Sequence, residues 1–202
     1  MWESIIMTSS LLAVIFILIF ILVLLAKIPK TKLNVRQKRW WLFIHIGAAI
    51  IYLSGVLGAL LLAILTTFNA NRELIYAAHH FIHYFDWFLI IPGAFASLLT
   101  GVWLSVRTNW GGLTNYYWII TKWIGNIGAI LFGSTFVRIG IENSTLSAMD
   151  DPIQNPAYMY DWQVLMIELV ISLAILTFLS AISIFKPWGK RIKKNKSYRH
   201  PD

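Results

Sequence analysis

The 202-residue chain contains no cysteine. That excludes disulfides, thiolate metal sites, cysteine-ligated iron–sulfur clusters and cysteine nucleophiles. Charge is scarce as well. Asp, Glu, Lys and Arg make up 13% of the residues, about half the ~25% usual for soluble domains. Acidic side chains are the scarcer sign, nine against seventeen Lys and Arg. There is no His-Glu-x-x-His motif and no serine elbow, so the common hydrolase constellations are missing. No internal repeat and no second domain interrupts the chain.

What is abundant is apolar surface, 58% of the residues, arranged in long blocks. Blocks of this length point to an integral membrane protein. The first runs from Ser9 to Ala26. At 1.5 Å per residue it is just long enough for a hydrocarbon core of roughly 30 Å. A cleavable signal peptide would carry positive charge before such a run. Here Glu3 precedes it and Lys27, Lys30, Lys32, Arg36, Lys38 and Arg39 follow, so a retained anchor is expected. Further spans are predicted over Trp40–Leu65, Ile75–Val106, Tyr117–Ile141 and Trp162–Phe185. Pro92 should kink the third. Trp40, Trp41, Tyr76, Tyr116, Tyr117, Trp118, Tyr160, Trp162 and Trp188 lie near the ends, as an aromatic belt does. The segment Asn143–Tyr160 is polar, carries two prolines and reads as an external loop.

The net charge of +8 is explained by orientation rather than by nucleic acid. In a five-span chain, fifteen of the seventeen Lys and Arg residues fall on one side, leaving Arg72 and Arg138 on the other. The positive-inside rule makes the basic side cytoplasmic. The expected fold class is therefore all-α integral membrane: a five-helix transmembrane bundle, N-out/C-in. Residues 1–8 would be an external N-terminus, 9–188 a single transmembrane domain and 189–202 a basic cytoplasmic tail against anionic lipid. The lipid bilayer is the first partner implied. The expected location is the bacterial plasma membrane.

Helices in lipid associate through small residues. Ser54, Gly55, Gly58 and Ala59 form such a stripe on the second span, and Gly125, Ala129 and Gly133 on the fourth. Each stripe permits close helix packing or makes room for a flat ligand.

Two sets of intramembrane polar residues stand out, because such residues are costly unless paired or wet. Toward the basic side, His45 and Lys122 lie about five residues into their spans, roughly 8 Å deep at 1.5 Å per residue. Tyr52 shares a face with His45, and Asn126 with Lys122. The pair is placed to clamp a planar cofactor. In the alternative reading, Lys122 snorkels to the interface and His45 bonds a carbonyl or water. Toward the other side, His79, His83 and Asp86 follow spacings of four and three on one face. Glu168 lies at a similar depth on the fifth span. Three readings are open for this set: a metal held by His79, His83 and Asp86, a proton relay of His83, Asp86 and Glu168, or a structural network that draws in Arg138.

"WWLFIHIGAAIIYLSGV" (Trp40–Val56), "DWFLIIPGAFASLLTGVWLS" (Asp86–Ser105) and the closing Phe185-Lys186-Pro187-Trp188 resemble a bacterial family of predicted integral membrane proteins of unknown function. More distantly, the chain is similar to the HemJ-type protoporphyrinogen oxidase and to copper resistance protein D. In that oxidase a helix-borne histidine and a lysine on a later helix are associated with haem b. His45 matches the histidine position and Lys122, in "YYWIITKWIG", the lysine position. The oxidase's arginine- and tyrosine-rich stretch is absent here, where Leu61 to Phe68 reads "LLAILTTF".

The resemblance implies haem b held by His45 and Lys122 as axial ligands. The leading expectation is a haem b-binding or quinone-linked redox protein, in which His83, Asp86 and Glu168, read from their own placement in the membrane and not from the resemblance, handle protons. Two other functions fit the same residues. One is a transporter that uses the His/Asp cluster. The other is an accessory subunit that packs its small-residue stripes against itself, as a homo-oligomer, or against a membrane partner.

Overall fold

The computed structural model describes residues 2–29, 31–68, 71–149 and 152–191. Lys30, Asp150, Asp151 and the basic tail from residue 192 onward lie outside the described residues. The described chain is helical throughout its long elements. In chain order these are α1 (Trp2–Lys27), α2 (Val35–Thr66), α3 (Arg72–Phe85), a π-helical turn π1 (Asp86–Ile90), α4 (Ile91–Arg107), α5 (Tyr117–Phe132), a second π-helical turn π2 (Gly133–Val137), α6 (Arg138–Ser147) and α7 (Pro156–Phe185). Joined where they run on, they make five stretches long and apolar enough to cross a membrane. In hydrocarbon a helix is the conformation that pairs every backbone polar group within one segment, so the five apolar blocks become five rods.

The third stretch runs unbroken from Arg72 to Arg107. Proline supplies no N–H to the preceding turn. A π turn, π1, stands just before Pro92, and there the Ile91 N–H reaches back five residues to the Asp86 carbonyl. The fourth stretch contains the second such turn, π2, between α5 and α6.

Four boundaries differ from the sequence expectation by five residues or more. α1 starts at Trp2 rather than Ser9, so most of the expected external N-terminus is helix. α2 starts at Val35 rather than Trp40. A capping box accounts for it: Asn34 Oδ1 accepts from the Gln37 N–H at 2.8 Å, and Gln37 Oε1 accepts from the Asn34 N–H at 3.2 Å. The fourth span continues past Ile141 to Ser147. There Ser144 and Thr145 donate to the Ile141 carbonyl and Ser147 to that of Asn143, so polar side chains are satisfied inside the helix. α7 begins at Pro156, not Trp162, with Asn155 Oδ1 capping the Ala157 N–H at 3.0 Å. Much of the expected external loop is therefore helix.

Lipid tails are as apolar as leucine, so close packing and not water exclusion holds such rods together. Backbone comes close to backbone between α2 and the π1–α4 segment. A Cβ on Gly93 would lie 2.7 Å from the Tyr52 backbone nitrogen, and one on Gly55 2.8 Å from Ile90. Tyr52, Val56, Ile90, Ala94, Leu98 and Val102 fill that seam, and Ile15 and Ile19 of α1 close it. On the fourth stretch Gly125 meets Leu179 of α7, with 2.6 Å left for a Cβ. Gly55, Gly58 and Gly125 thus meet neighbouring helices and Ala59 and Ala129 are buried, whereas Ser54 is exposed and Gly133 has nothing within 4 Å of a Cβ. One end of the bundle carries the basic connections and is called the basic end below. There Arg107 is buried and donates to the Pro29 carbonyl at 2.8 Å and the Ala26 carbonyl at 3.4 Å. This ties the α1–α2 connection to the end of α4.

Candidate functional site

In the basic half of the bundle four spans contribute to one polar chain. His45 of α2 places Nδ1 2.9 Å from Thr100 Oγ1 of α4. Lys122 of α5 places Nζ 3.5 Å from His45 Nε2 and donates to Ser183 Oγ of α7 at 2.9 Å. The protonation pattern of the imidazole follows from the donor inventory. The Thr100 hydroxyl has one hydrogen and gives it to the Ala96 carbonyl at 2.6 Å. It therefore accepts from Nδ1–H, and Nε2 keeps its lone pair toward Lys122. Gly101 makes this placement possible, since a Cβ there would stand 3.2 Å from His45 Cε1.

His45 and Lys122, expected at one level, do meet. Of the two residues expected on their faces, Asn126 lies one turn from Lys122, and its Oδ1 is buried without a hydrogen-bond partner. Tyr52 lies two turns from His45 and faces a different space. Sequence reasoning missed Thr100 and Ser183. Thr100 carried a signal, because it stands in the Thr-Gly-x-Trp-Leu stretch of α4. Ser183 carried none.

In the other half lies a cavity of about 250 Å³. Its polar wall is Tyr52, Asp86, Ser134, Arg138 and Thr8; its apolar wall includes Ile91, Ala94, Phe95, Ala129 and Ile130. Both π turns open onto it, π1 through Asp86 and Ile90 and π2 through Gly133 and Ser134. Arg138 pairs with Glu142 one turn away at 3.1 Å, and its guanidinium lies 5.7 Å from the centre of the Trp87 ring. The Asp86 side chain makes no hydrogen bond or ion pair among the described residues, though Arg138 and His83 lie near enough to act on its charge.

Of the two histidines expected beside Asp86, His83 lies near enough to act on its charge, and His79 does not. His79 is fully buried and turned toward α7, with Nε2 3.1 Å from the Tyr158 hydroxyl. His83 is half-buried, its ring 6.4 Å from that of Trp87. Glu168 packs against Gly140 of α6, with Oε2 buried and without a hydrogen-bond partner. No hydrogen bond joins Glu168, His83 and Asp86 among the described residues. Nor does any group of three His, Asp or Glu residues there stand ready to hold a metal ion. The i, i+3 and i+4 spacings place side chains on a common face of one helix. The identity of the helix opposite each side chain separates them.

No curated protein and no solved structure matches the chain. A family model described as "Predicted integral membrane protein (DUF2269)" matches residues 40–187. That segment holds α2 from its second turn to the end of α7, and with it the His45–Lys122 pair, Asp86 and both π turns. A match over most of the chain, on a helical bundle with five membrane-length stretches, leads to one conclusion: the protein is a membrane protein and belongs to the DUF2269 family of predicted integral membrane proteins.

Proposed function

We propose that this protein is a haem b-binding redox protein of the bacterial plasma membrane, with its basic end at the cytosol and His45 and Lys122 as the iron ligands. The observation that carries the reading is the facing pair of nitrogen bases, 3.5 Å apart, on helices far apart in sequence. His45 and Lys122 would hold the iron of such a group from two different helices, each through one nitrogen. The donor set suits the group. His45 holds its lone pair on Nε2 because Thr100 takes the Nδ1 hydrogen, the outer-shell arrangement typical of ligating histidines. Lys122 ligates only as the neutral amine, and Ser183 is placed to keep a hydrogen bond to it. The orphaned Asn126 Oδ1 supports a polar guest beside the pair. The likeness of His45 and Lys122 to the haem-associated positions of the HemJ-type oxidase points the same way.

Haem b bound there would supply one-electron chemistry, tuned by the residues that would hold it and by their hydrogen bonds. The chain's part is to fix the imidazole tautomer, hold the amine on the facing helix and keep both in lipid-shielded surroundings. Protein expressed with added haem should show a Soret band, and His45→Ala should remove it. Colourless protein that is otherwise folded rejects the reading. A reporter fused after Asp202 tests the orientation and should be active on the cytoplasmic side.

A further inference from the structure

The cavity beside π1 and π2 has no role in haem ligation by His45 and Lys122. Three observations converge on it. First, two π turns from different spans open onto the same 250 Å³ space. Single π turns inside α-helices recur at functional sites, and irregular backbone at membrane depth persists where it lines a cavity or is buried in protein. Second, Asp86 and Tyr52 both line the space and are only 7% and 5% exposed, yet neither side chain takes a hydrogen bond or ion pair among the described residues. Their polar ends open onto the cavity, where Arg138 acts on the Asp86 carboxylate and Asp86 on the Tyr52 hydroxyl. Third, the walls are sorted. Thr8, Asp86, Ser134 and Arg138 stand toward the end away from the basic connections. Ala94, Phe95, Ala129 and Ile130 continue toward the bilayer middle.

We propose that this cavity binds the headgroup of a membrane quinone or quinol, with Asp86 and Tyr52 taking the ring oxygens and the apolar wall taking the ring and the start of its tail. The volume suits a single substituted ring rather than a macrocycle. Arg138 is already paired with Glu142, so Asp86 and Tyr52 are the polar groups left for a guest, and an uncharged ring that offers both donors and acceptors fits them. A carboxyl and a phenol each serve as donor or acceptor, so one pair of side chains suits both the keto and the hydroxy form. The site stands apart from haem ligation, since Tyr52 lies seven residues, about 10 Å along the helix at 1.5 Å per residue, from His45.

The test is titration of the full chain in lipid nanodiscs with decylubiquinone, read by tryptophan quenching and calorimetry against empty nanodiscs. Saturable binding is expected. Gly133→Leu fills the cavity from a position where a Cβ meets nothing within 4 Å. It should weaken binding at least tenfold without lowering the melting temperature. Asp86→Leu should do the same, while Asp86→Asn, which still donates and accepts, should stay within a few-fold of wild type. His45→Ala protein should bind as wild type even if colourless, which separates this site from the haem reading. Binding that only follows partition into lipid overturns the proposal, as does wild-type affinity in folded Gly133→Leu. Preferential binding of tetraphenylphosphonium that Asp86→Asn abolishes also overturns it, in favour of a cation site.

Discussion

Gly93→Ala should destabilise this protein more than its single methyl suggests. Gly93 follows Pro92 in the first turn of α4, where the chain leaves π1. Its new Cβ would lie 2.7 Å from the Tyr52 nitrogen, 2.9 Å from Tyr52 Cα and 3.0 Å from Tyr52 Cβ. Those atoms belong mainly to the α2 backbone and cannot swing aside as a side-chain tip does. Carbon contacts relax at about 3.5–4.0 Å, so α2 and α4 must part by roughly 0.8 Å or more. Overpacking of this kind costs about 1–3 kcal/mol. At roughly 2–4 °C per kcal/mol for a chain of this size, the apparent melting temperature should fall by roughly 2–12 °C. The matched control is Gly128→Ala, where a Cβ meets nothing within 4 Å. Alanine is the better helix former by about 1 kcal/mol, so that variant should melt at or above wild type. Thermal unfolding of both proteins in the same detergent gives the comparison. If Gly93→Ala melts with wild type, the close α2–α4 contact is not a feature of the folded protein.

Further outcomes follow from single contacts. Thr100→Val removes the acceptor of His45 Nδ1–H. In haem-supplied protein, affinity for the haem should drop about 10–100-fold, the usual cost of an outer-shell loss, with the Soret band weakened rather than abolished. Undiminished haem content would reject the tautomer argument. Arg107→Met cuts the bonds to the Ala26 and Pro29 carbonyls. Charged hydrogen bonds are worth about 1.5–3 kcal/mol, so trypsin should cleave the connection near Lys27 and Lys32 several-fold faster; equal rates would sink the clamp. Tyr158→Phe leaves His79 Nε2 as bare as its already unpartnered Nδ1. It should cost about 1–3 kcal/mol, and a second change, His79→Leu, should recover part of the loss. Simple additivity in that pair would deny the contact.

The membrane architecture was legible in the chain because bilayer thickness and backbone satisfaction are one-dimensional constraints. They act on blocks of composition, and each apolar block had one outcome. The boundaries were less legible. Asn34 with Gln37 is a readable capping box, yet the polar letters after Asn143 hid a helix, because Ser and Thr satisfy themselves on carbonyls one turn back.

The two sites divided in the same way. Depth along a rod is set by position in the chain, which is enough to put His45 and Lys122 at one level. Which faces meet is set by how the rods rotate and pack, a property of the whole bundle. Only the tertiary structure joined Thr100 and Ser183 to that pair, turned His79 away toward Tyr158, packed Glu168 against Gly140, and set Asp86 beside Tyr52 in a cavity between two π turns. The physical reason is that helical periodicity specifies neighbours on the same helix, whereas contacts across helices depend on where glycines let the backbones close.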